Sequence, residues 1–177
     1  MAAVNVRHAL ALDVVLFVVA NVPWQKVESR PITDPEIRFA MVADAVSGTP
    51  GLEASRVEID RGGESYTADT IRQLAAQWPG ADLHLILGSD AARGLPTWDR
   101  VEELRQSTSV VVVDRPGEVP APVLSGWRWN TVRVPAIGVS SSDLRARAVD
   151  GRPLEFLVPA SVLDRIRQLD LYGFATC

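Results

Sequence analysis

The stretch LHLILGSD at residues 83–90 is the part of the sequence that most directly predicts the fold. Its mainly apolar first five residues predict a strand that is buried on both faces, and Gly88, Ser89 and Asp90 follow at the carboxyl end. Three more apolar strands are predicted at residues 14–19, 110–113 and 132–134, and a strand with one polar face is predicted at residues 56–60.

Helical patterns separate these strands. Apolar residues recur at helical spacing in residues 37–45, 71–78, 98–104 and 162–169. We expect Thr33 to cap the first of these helices, with Glu36 three residues later, and Ser65 or Thr67 to cap the second. Strands that alternate with helices predict an α/β fold, a doubly wound parallel sheet with helices on both faces.

Composition limits the classes of function. The chain has 177 residues, the length of a single domain, which we assign to residues 1–177. Its net charge of −4 argues against a broad nucleic-acid or membrane-surface role. No apolar run approaches the ~18 residues that span a bilayer. The lone cysteine, Cys177, excludes an internal disulfide and suits a reducing compartment, and His8 and His84 lack the spacing of a zinc site.

A hydroxyl-rich segment at residues 139–145 is the first candidate for ligand binding. Ser140, Ser141 and Ser142 lie at a predicted helix start, and Arg145 lies one turn further on. A helix N-terminus, hydroxyl groups and a guanidinium together suit a phosphate. The alternative is that Ser140 and the acid three residues later only form a capping box on a surface helix.

Three further features have both a binding and a structural interpretation. Residues 65–70, SYTADT, supply hydroxyls and backbone donors that suit a carboxylate or ribose, or else cap a helix. Gly88 lets a ligand approach the backbone beyond a strand end, where Asp90 can accept from a ribose hydroxyl. Trp24 and Trp98 either stack on a ligand ring or pack against the core.

The opening of the chain is unusual for this type of fold. Residues 2–12 predict a helix that has neither a capping residue nor a strand before it. In doubly wound folds the first strand is usually central, and its loop usually binds phosphate. We therefore expect the first strand and its phosphate loop to be missing, so that the domain is incomplete at its N-terminus.

Taken in order, six motifs resemble those of bacterial nicotinate mononucleotide adenylyltransferases. They lie at residues 21–26, 65–70, 88–90, 95–98, 114–117 and 139–145, and the variant at 23–26 is similar to actinobacterial members. The resemblance implies a Rossmann-like nucleotidyltransferase fold. It also implies transfer of AMP from ATP, with Mg²⁺, to nicotinate mononucleotide, which yields deamido-NAD and pyrophosphate in cytoplasmic NAD biosynthesis.

The resemblance also implies roles for individual residues. Trp98 would stack on the pyridine ring, backbone donors around Tyr66 and Thr67 would hold the nicotinate carboxylate, and Lys26 and Arg115 would add phosphate contacts. The implied substrate-binding residues are Trp24, Lys26, Tyr66, Thr67 and Trp98. The implied nucleotide-binding residues are Gly88, Asp90, Arg115, Ser140, Ser141, Ser142 and Arg145.

One family motif has no counterpart in this sequence. Members begin with a Gly-x-Phe-x-Pro-x-His-x-Gly-His segment that binds the transferring phosphates, so no catalytic residue is assigned here. Two interpretations stay open: an enzyme whose true N-terminus lies upstream, and a non-catalytic nucleotide-binding remnant of the same fold. The resemblance predicts no nucleic-acid or membrane partner, and it leaves open both a homo-oligomer and a preference for the nicotinamide acceptor.

Overall fold

The computed structural model describes residues 1–23, 32–114 and 124–173. Five strands are described there: β1 (Val15–Val18), β2 (Leu52–Ser55), β3 (His84–Gly88), β4 (Ser109–Asp114) and β5 (Trp129–Arg133). The helices are α1 (Ala2–Ala9), α2 (Pro35–Val46), α3 (Val57–Arg61), α4 (Thr67–Gln77), α5 (Ser89–Gly94), α6 (Val101–Ser107), α7 (Ser141–Val149) and α8 (Ala160–Gln168). Short 3₁₀ turns lie at Leu95–Thr97 and Leu171–Gly173.

All strand pairs are parallel, as the alternating pattern predicts. Strand β1 pairs with β2, with Val15 opposite Leu52, while β4 lies between β3 and β5, with Val110 opposite both Leu85 and Trp129. Helices connect β1 to β2, β2 to β3 and β3 to β4, because parallel strands need a crossover from one end of the sheet to the other. The α/β fold class is therefore confirmed.

The core lies on both faces of the three-stranded sheet. On one face, Val110 and Val112 of β4 pack with Leu87, Leu95 and their neighbours in one cluster. On the other face, Val111 and Val113 pack with Val6 of α1. Strand β4 can be apolar at successive positions because helices cover both of its sides.

The prediction of a strand at residues 56–60 is wrong. Strand β2 lies earlier, after a turn in which Gly51 has φ +76°, and the Val15 amide donates to the Gly51 carbonyl at 2.8 Å. Residues Val57–Arg61 instead form the short helix α3, in which Glu58 is buried and accepts from the Thr70 hydroxyl. The alternation of apolar and charged residues was compatible with either structure over so short a segment.

The predicted cap of α2 is also corrected. The N-cap of α2 is Asp34, whose carboxylate accepts from the Glu36 amide at 2.8 Å, and Thr33 donates its hydroxyl to Tyr172 instead. One residue separates these two candidates, and both are good capping types, so sequence alone favoured the wrong one.

In the described part of the chain no helix is long and apolar enough to cross a bilayer.

A slot separates the two sheets. We use this name for the cavity of about 1090 Å³ between β1 and β3, which residues of both strands line. Ala3 of α1 lines the slot as well, as do Ile71 and Leu74 of α4. Helix α1 packs on the Val111 and Val113 face of the three-stranded sheet, and α4 packs through Trp98 with the cluster on the opposite face, so helices line the slot on both sides.

Backbone groups of both strands point into the slot. The Val15 and Val19 amides donate to β2, so the backbone groups of Leu16 and Val18 face the other way. Ser109 of β4 donates to the Leu83 carbonyl, so on β3 the slot-facing groups are those of His84, Ile86 and Gly88. Among the described residues no hydrogen bond satisfies the amides of Leu16, Val18 and Ile86. The expectation of a missing first strand stays a prediction.

Candidate active site

One end of the slot brings together the residues predicted to hold the acceptor. Tyr66 and Thr67 line it from the start of α4, and Trp98 and Asp99 line it from the segment before α6. These residues are about thirty positions apart in the sequence, and the packing of α4 against α6 makes them neighbours. The predicted hydroxyl-rich helix start and the predicted stacking ring therefore border the same space.

The N-terminus of α4 has no side-chain cap. Its N-cap residue is Tyr66, in extended conformation, and no side chain accepts from the first-turn amides. The prediction that Ser65 or Thr67 caps this helix is wrong, because the Ser65 hydroxyl instead accepts from the Asn21 amide at 2.8 Å. Uncapped amides at the positive end of a helix dipole favour an anion, and Thr67 places them beside the slot.

Trp98 is part of the core as well as of the cavity wall. It is half-buried and packs against the cluster of Ala68, Ile71 and Leu104 as well as against the cluster beneath β4. The same side chain lines the slot beside Thr67. The two interpretations of this residue, packing and ring stacking, are therefore compatible.

Tyr66 is held by charged neighbours. Its hydroxyl donates to Glu64 at 2.5 Å, and this hydrogen bond to a carboxylate raises the pKa of Tyr66. The guanidinium of Arg100 lies 5.8 Å from the centre of the Tyr66 ring. The ring thus has a fixed place at the start of α4.

The residues predicted to face the nucleotide lie at strand ends. Gly88 is the last residue of β3, and an added Cβ there would meet nothing within 4 Å, so the backbone is open to approach. The Asp90 side chain is 92% exposed and pairs with Arg93. Both residues lie at the carboxyl end of the sheet, where parallel sheets bind their ligands.

The segment around Ser140 combines a helix cap with an arginine one turn further on. Ser140 is the N-cap of α7, and its hydroxyl accepts from the Asp143 amide at 3.1 Å, so the capping interpretation is correct for this residue. Arg145 donates to the Ser142 hydroxyl at 3.3 Å and has no carboxylate partner among the described residues. By contrast, Arg147 on the same helix pairs with Asp143 at 2.8 Å. Arg145 and the exposed Ser141 are thus available to an anion.

The structure does not connect every predicted residue. No hydrogen bond or ion pair within residues 1–23, 32–114 and 124–173 joins the Ser140 segment to Gly88 or Asp90. Trp24, Lys26 and Arg115 lie outside the described residues, so their predicted roles stay predictions.

Sequence reasoning missed several residues around the site. Glu58, which is only 8% exposed, lines the slot, although the predicted strand placed it on a polar face. Asp69 and Arg100 form an ion pair 31 residues apart in sequence. No local signal in the sequence marked this ion pair, because pairing between distant residues leaves no local pattern.

Arg38 holds the carboxyl end of β1. Its guanidinium donates to the carbonyls of Ala20, Asn21 and Thr33 at 2.6 to 2.9 Å. The bonds to Ala20 and Asn21 join α2 to the residues that follow β1. The fold therefore fixes where Ala20 and Asn21 leave the sheet.

We expect Arg38→Ala to lower the free energy of unfolding by about 1.5–3 kcal/mol, because charged donors are lost from part-buried carbonyls. Chemical denaturation measures this change. Arg105→Gln is the control, since Arg105 forms an exposed ion pair with Glu102 and should cost less than about 1 kcal/mol. Equal losses in the two variants would contradict the role given to Arg38.

Comparison with known proteins places the chain among enzymes of one kind. The family model described as cytidylyltransferase-like matches residues 1–147. A probable nicotinate-nucleotide adenylyltransferase of Mycolicibacterium gilvum (strain PYR-GCK) is 40% identical over 185 residues, and the match covers 97% of this chain and 88% of the relative. One of the same name from Arthrobacter sp. (strain FB24) is 39% identical and matches 98% of this chain and 83% of its own length.

Solved structures show the same fold. The Plasmodium falciparum nicotinic acid mononucleotide adenylyltransferase complexed with APC aligns with a TM-score of 0.77 at 16% identity, over 99% of this chain and 90% of that one. The same enzyme complexed with NaAD aligns with a TM-score of 0.73 at 16% identity, over 98% and 94%. These structures show the shared fold, and the 40% identity to the bacterial relative over 97% of this chain shows that the chain belongs to the nicotinate-nucleotide adenylyltransferase family.

Proposed function

We propose that this chain transfers AMP from ATP to nicotinate mononucleotide, giving deamido-NAD and pyrophosphate. Its relatives' names support the reaction class. The observation that carries the proposal is that the uncapped start of α4 and the ring of Trp98 line the same cavity, the slot. A pyridine ring that bears a carboxylate needs one apolar surface and one set of amide donors.

On the acceptor side, the amides at Thr67 and beyond would bind the nicotinate carboxylate. The positive end of the α4 dipole favours that charge over a neutral amide, which is the basis for choosing nicotinate over nicotinamide mononucleotide. Trp98 would stack on the ring from the opposite wall. Its packing against Leu104 and Ile71 fixes the ring plane before the ligand arrives, which reduces the entropy lost on binding.

On the nucleotide side, Arg145, Ser141 and Ser142 would hold ATP phosphates at the start of α7. The acceptor's phosphate oxygen attacks the α-phosphorus, the bond to the bridging oxygen breaks, and pyrophosphate leaves. Such a transfer needs positioning and charge neutralisation and no covalent nucleophile. Gly88 and Asp90 would face the nucleoside at the end of β3.

Mg²⁺ belongs to the proposal as the ion that enters with ATP. Mg²⁺ in such sites keeps water ligands and binds mainly to substrate phosphates, so it needs no dedicated protein cage. No group of three or more His, Cys, Asp or Glu side chains lies together in the described ranges. When bound, the ion would neutralise phosphate charge, and no side chain of this chain is assigned to it.

We further infer that the active protein contains one more parallel strand, which fills the slot and leads into α1. Leu16 and Val18 on one side and Ile86 on the other present unpaired backbone groups to the same space. Helices cover both faces of the slot, so the strand must be apolar throughout. A crossover helix begins near the carboxyl end of the strand that it follows. Ala2 and Ala3 at the start of α1 line the slot, so α1 is placed to follow a strand within it.

The setting of the reaction is part of the same proposal. We assign residues 1–177 to a single nucleotidyltransferase domain and place it in the cytoplasm, where ATP and pyridine nucleotides are available. No nucleic-acid or membrane partner is invoked, because the net charge is −4. A homo-oligomer is compatible with these assignments, and sedimentation of the purified chain would measure it.

A transfer assay with paired substrates tests the proposed function. The chain, extended by the in-frame codons ahead of Met1, is incubated with Mg²⁺, either ATP or CTP, and either nicotinate or nicotinamide mononucleotide. We expect deamido-NAD and pyrophosphate in equal amounts from ATP and nicotinate mononucleotide. CTP is included because the family model is cytidylyltransferase-like. Cytidylyl transfer, or nucleotide binding with no product, would replace this proposal with another donor or with the non-catalytic remnant.

We expect Arg145→Ala to weaken ATP binding about tenfold, since one charge-assisted contact to phosphate is lost. Calorimetric titration with ATP measures the change. Arg147→Gln is the matched control, because Arg147 lies on the same helix but pairs with Asp143. If both variants bind ATP as the parent does, the start of α7 is a capped surface helix only.

A further inference from the structure

We propose that Arg100 is a positioning residue that fixes the distance between the start of α4 and Trp98. This inference rests on the proposed function, because it gives Arg100 a role in acceptor affinity. Arg100 lies two residues after Trp98, and its partner Asp69 lies two residues after Thr67. The ion pair therefore joins the start of α4 to the segment that carries Trp98, and these are the two walls of the acceptor end of the slot.

The contacts of Arg100 form a bidentate clamp. Its Nη1 donates to Asp69 Oδ1 at 2.6 Å and its Nη2 donates to Asp69 Oδ2 at 2.7 Å. Its Nε donates to Asp99 Oδ2 at 2.6 Å. A planar guanidinium fork bound to both oxygens of one carboxylate fixes direction as well as distance, which a lysine ammonium does not.

The backbone of Arg100 indicates that this arrangement is imposed. Its φ and ψ are 48° and 43°, in the left-handed region that disfavours residues with a Cβ. An asparagine would adopt the conformation more readily, yet the residue here is the one that reaches Asp69. The guanidinium also lies over the Tyr66 ring, so Arg100 contacts two residues of the same helix start.

The charge state of the pair is constant near neutral pH. The hydrogen bonds from Arg100 lower the pKa of Asp69 from 3.8 to about 2. A carboxyl whose pKa is depressed in the folded protein stabilises the fold above its unfolded pKa, and this contribution is lost as the pH falls through about 2. Arg72 adds a second link, donating to Asp69 at 3.0 Å and to Glu103 of α6 at 2.9 Å.

The solvent exposure of the Arg100 and Asp69 side chains favours a positioning role over a purely stabilising one. The side chains of Arg100 and Asp69 are 36% and 26% exposed, and ion pairs this accessible contribute little to stability. Removing the clamp should therefore leave the melting temperature nearly unchanged. It should still loosen the relative placement of Thr67 and Trp98, and this should lower the affinity for a ligand that contacts both residues.

The test compares affinities for the two substrates in Arg100→Asn, which tolerates the left-handed backbone, and Arg100→Lys, which keeps the charge. Calorimetry measures the dissociation constants for nicotinate mononucleotide and for ATP. We expect the dissociation constant for nicotinate mononucleotide to rise about 5- to 10-fold in both variants, in line with a lost specific contact. The dissociation constant for ATP should change less than about 2-fold. Asp69→Asn should reproduce the effect, and combining it with Arg100→Asn should add little.

A second readout does not depend on the proposed reaction. Acrylamide quenching of the Trp98 fluorescence, defined by difference from Trp98→Phe, should increase in Arg100→Asn. The control is Arg105→Gln, an exposed arginine of α6 that pairs within its own helix, and it should change neither readout. The clamp is refuted if Arg100→Asn leaves Trp98 quenching and acceptor affinity unchanged, or if affinities for both substrates fall together with the melting temperature. If the parent binds no nicotinate mononucleotide but Arg100→Asn exposes Trp98, the proposed function fails and the clamp stands.

Discussion

A form of the chain extended by the upstream in-frame codons is expected to transfer AMP at least ~100-fold faster than this chain, because the added strand fills the slot between β1 and β3. A central strand ends where parallel sheets bind phosphate, and the loop after it would supply backbone donors there. Loss of even one preorganised donor costs ~10²–10³ in rate. The measurement is deamido-NAD formation by both forms at equal protein concentration. Equal rates in the two forms would mean that the added residues, and a strand in the slot, play no part in the reaction.

Hydrogen exchange provides the structural control for this prediction. The amides of Leu16, Val18 and Ile86 face the slot, while those of Phe17 and Leu87 face a paired strand. In the chain alone we expect the first set to exchange faster than the second, residue by residue. In the extended form all five should be protected. Uniform exchange in both forms would show that no strand enters between β1 and β3.

Trp98→Ala is expected to weaken nicotinate mononucleotide binding about 5- to 150-fold, which corresponds to the ~1–3 kcal/mol typical of ring stacking. Because Trp98 also packs against Leu104 and Ile71, the variant should lose stability as well. Affinity is therefore measured by calorimetry well below the melting temperature of the variant.

Two further tryptophan variants separate stacking from packing. Trp98→Phe keeps an aromatic face and should retain most of the affinity. Trp78→Ala removes an indole that is 47% exposed and lines another part of the slot, and it should leave the affinity unchanged. If Trp98→Phe binds as weakly as Trp98→Ala does, the effect comes from altered packing, and the stacking role is wrong.

The sequence predicts the fold class well because its strands are buried on both faces. Residues 110–113 are four valines, and no helix-period pattern competes with the interpretation of β4 as a central strand. The same reasoning fails at α3, where Val57 and Ile59 alternate with charged residues over only one turn. There the outcome depends on Glu58 reaching Thr70 of α4, which is a tertiary contact with no local signal.

The candidate site divides in the same way. Tyr66, Thr67 and Trp98 were predicted from local motifs, and the structure places them around one cavity. The missing cap of α4 could not be read from the sequence, because Ser65 is a good capping residue that bonds Asn21 instead. The pairing of Asp69 with Arg100 was equally hidden, since neither residue differs locally from the other surface charges of its helix.

The most direct test of the account is a calorimetric titration of this chain with nicotinate mononucleotide and, separately, with nicotinamide mononucleotide. The two ligands differ only where the uncapped start of α4 would meet a carboxylate or an amide. The account predicts saturable binding of the acid about tenfold or more tighter than that of the amide, as one charge-assisted interaction provides. Equal affinities, or no binding of either ligand, would contradict the assignment of Tyr66, Thr67 and Trp98 to the acceptor site.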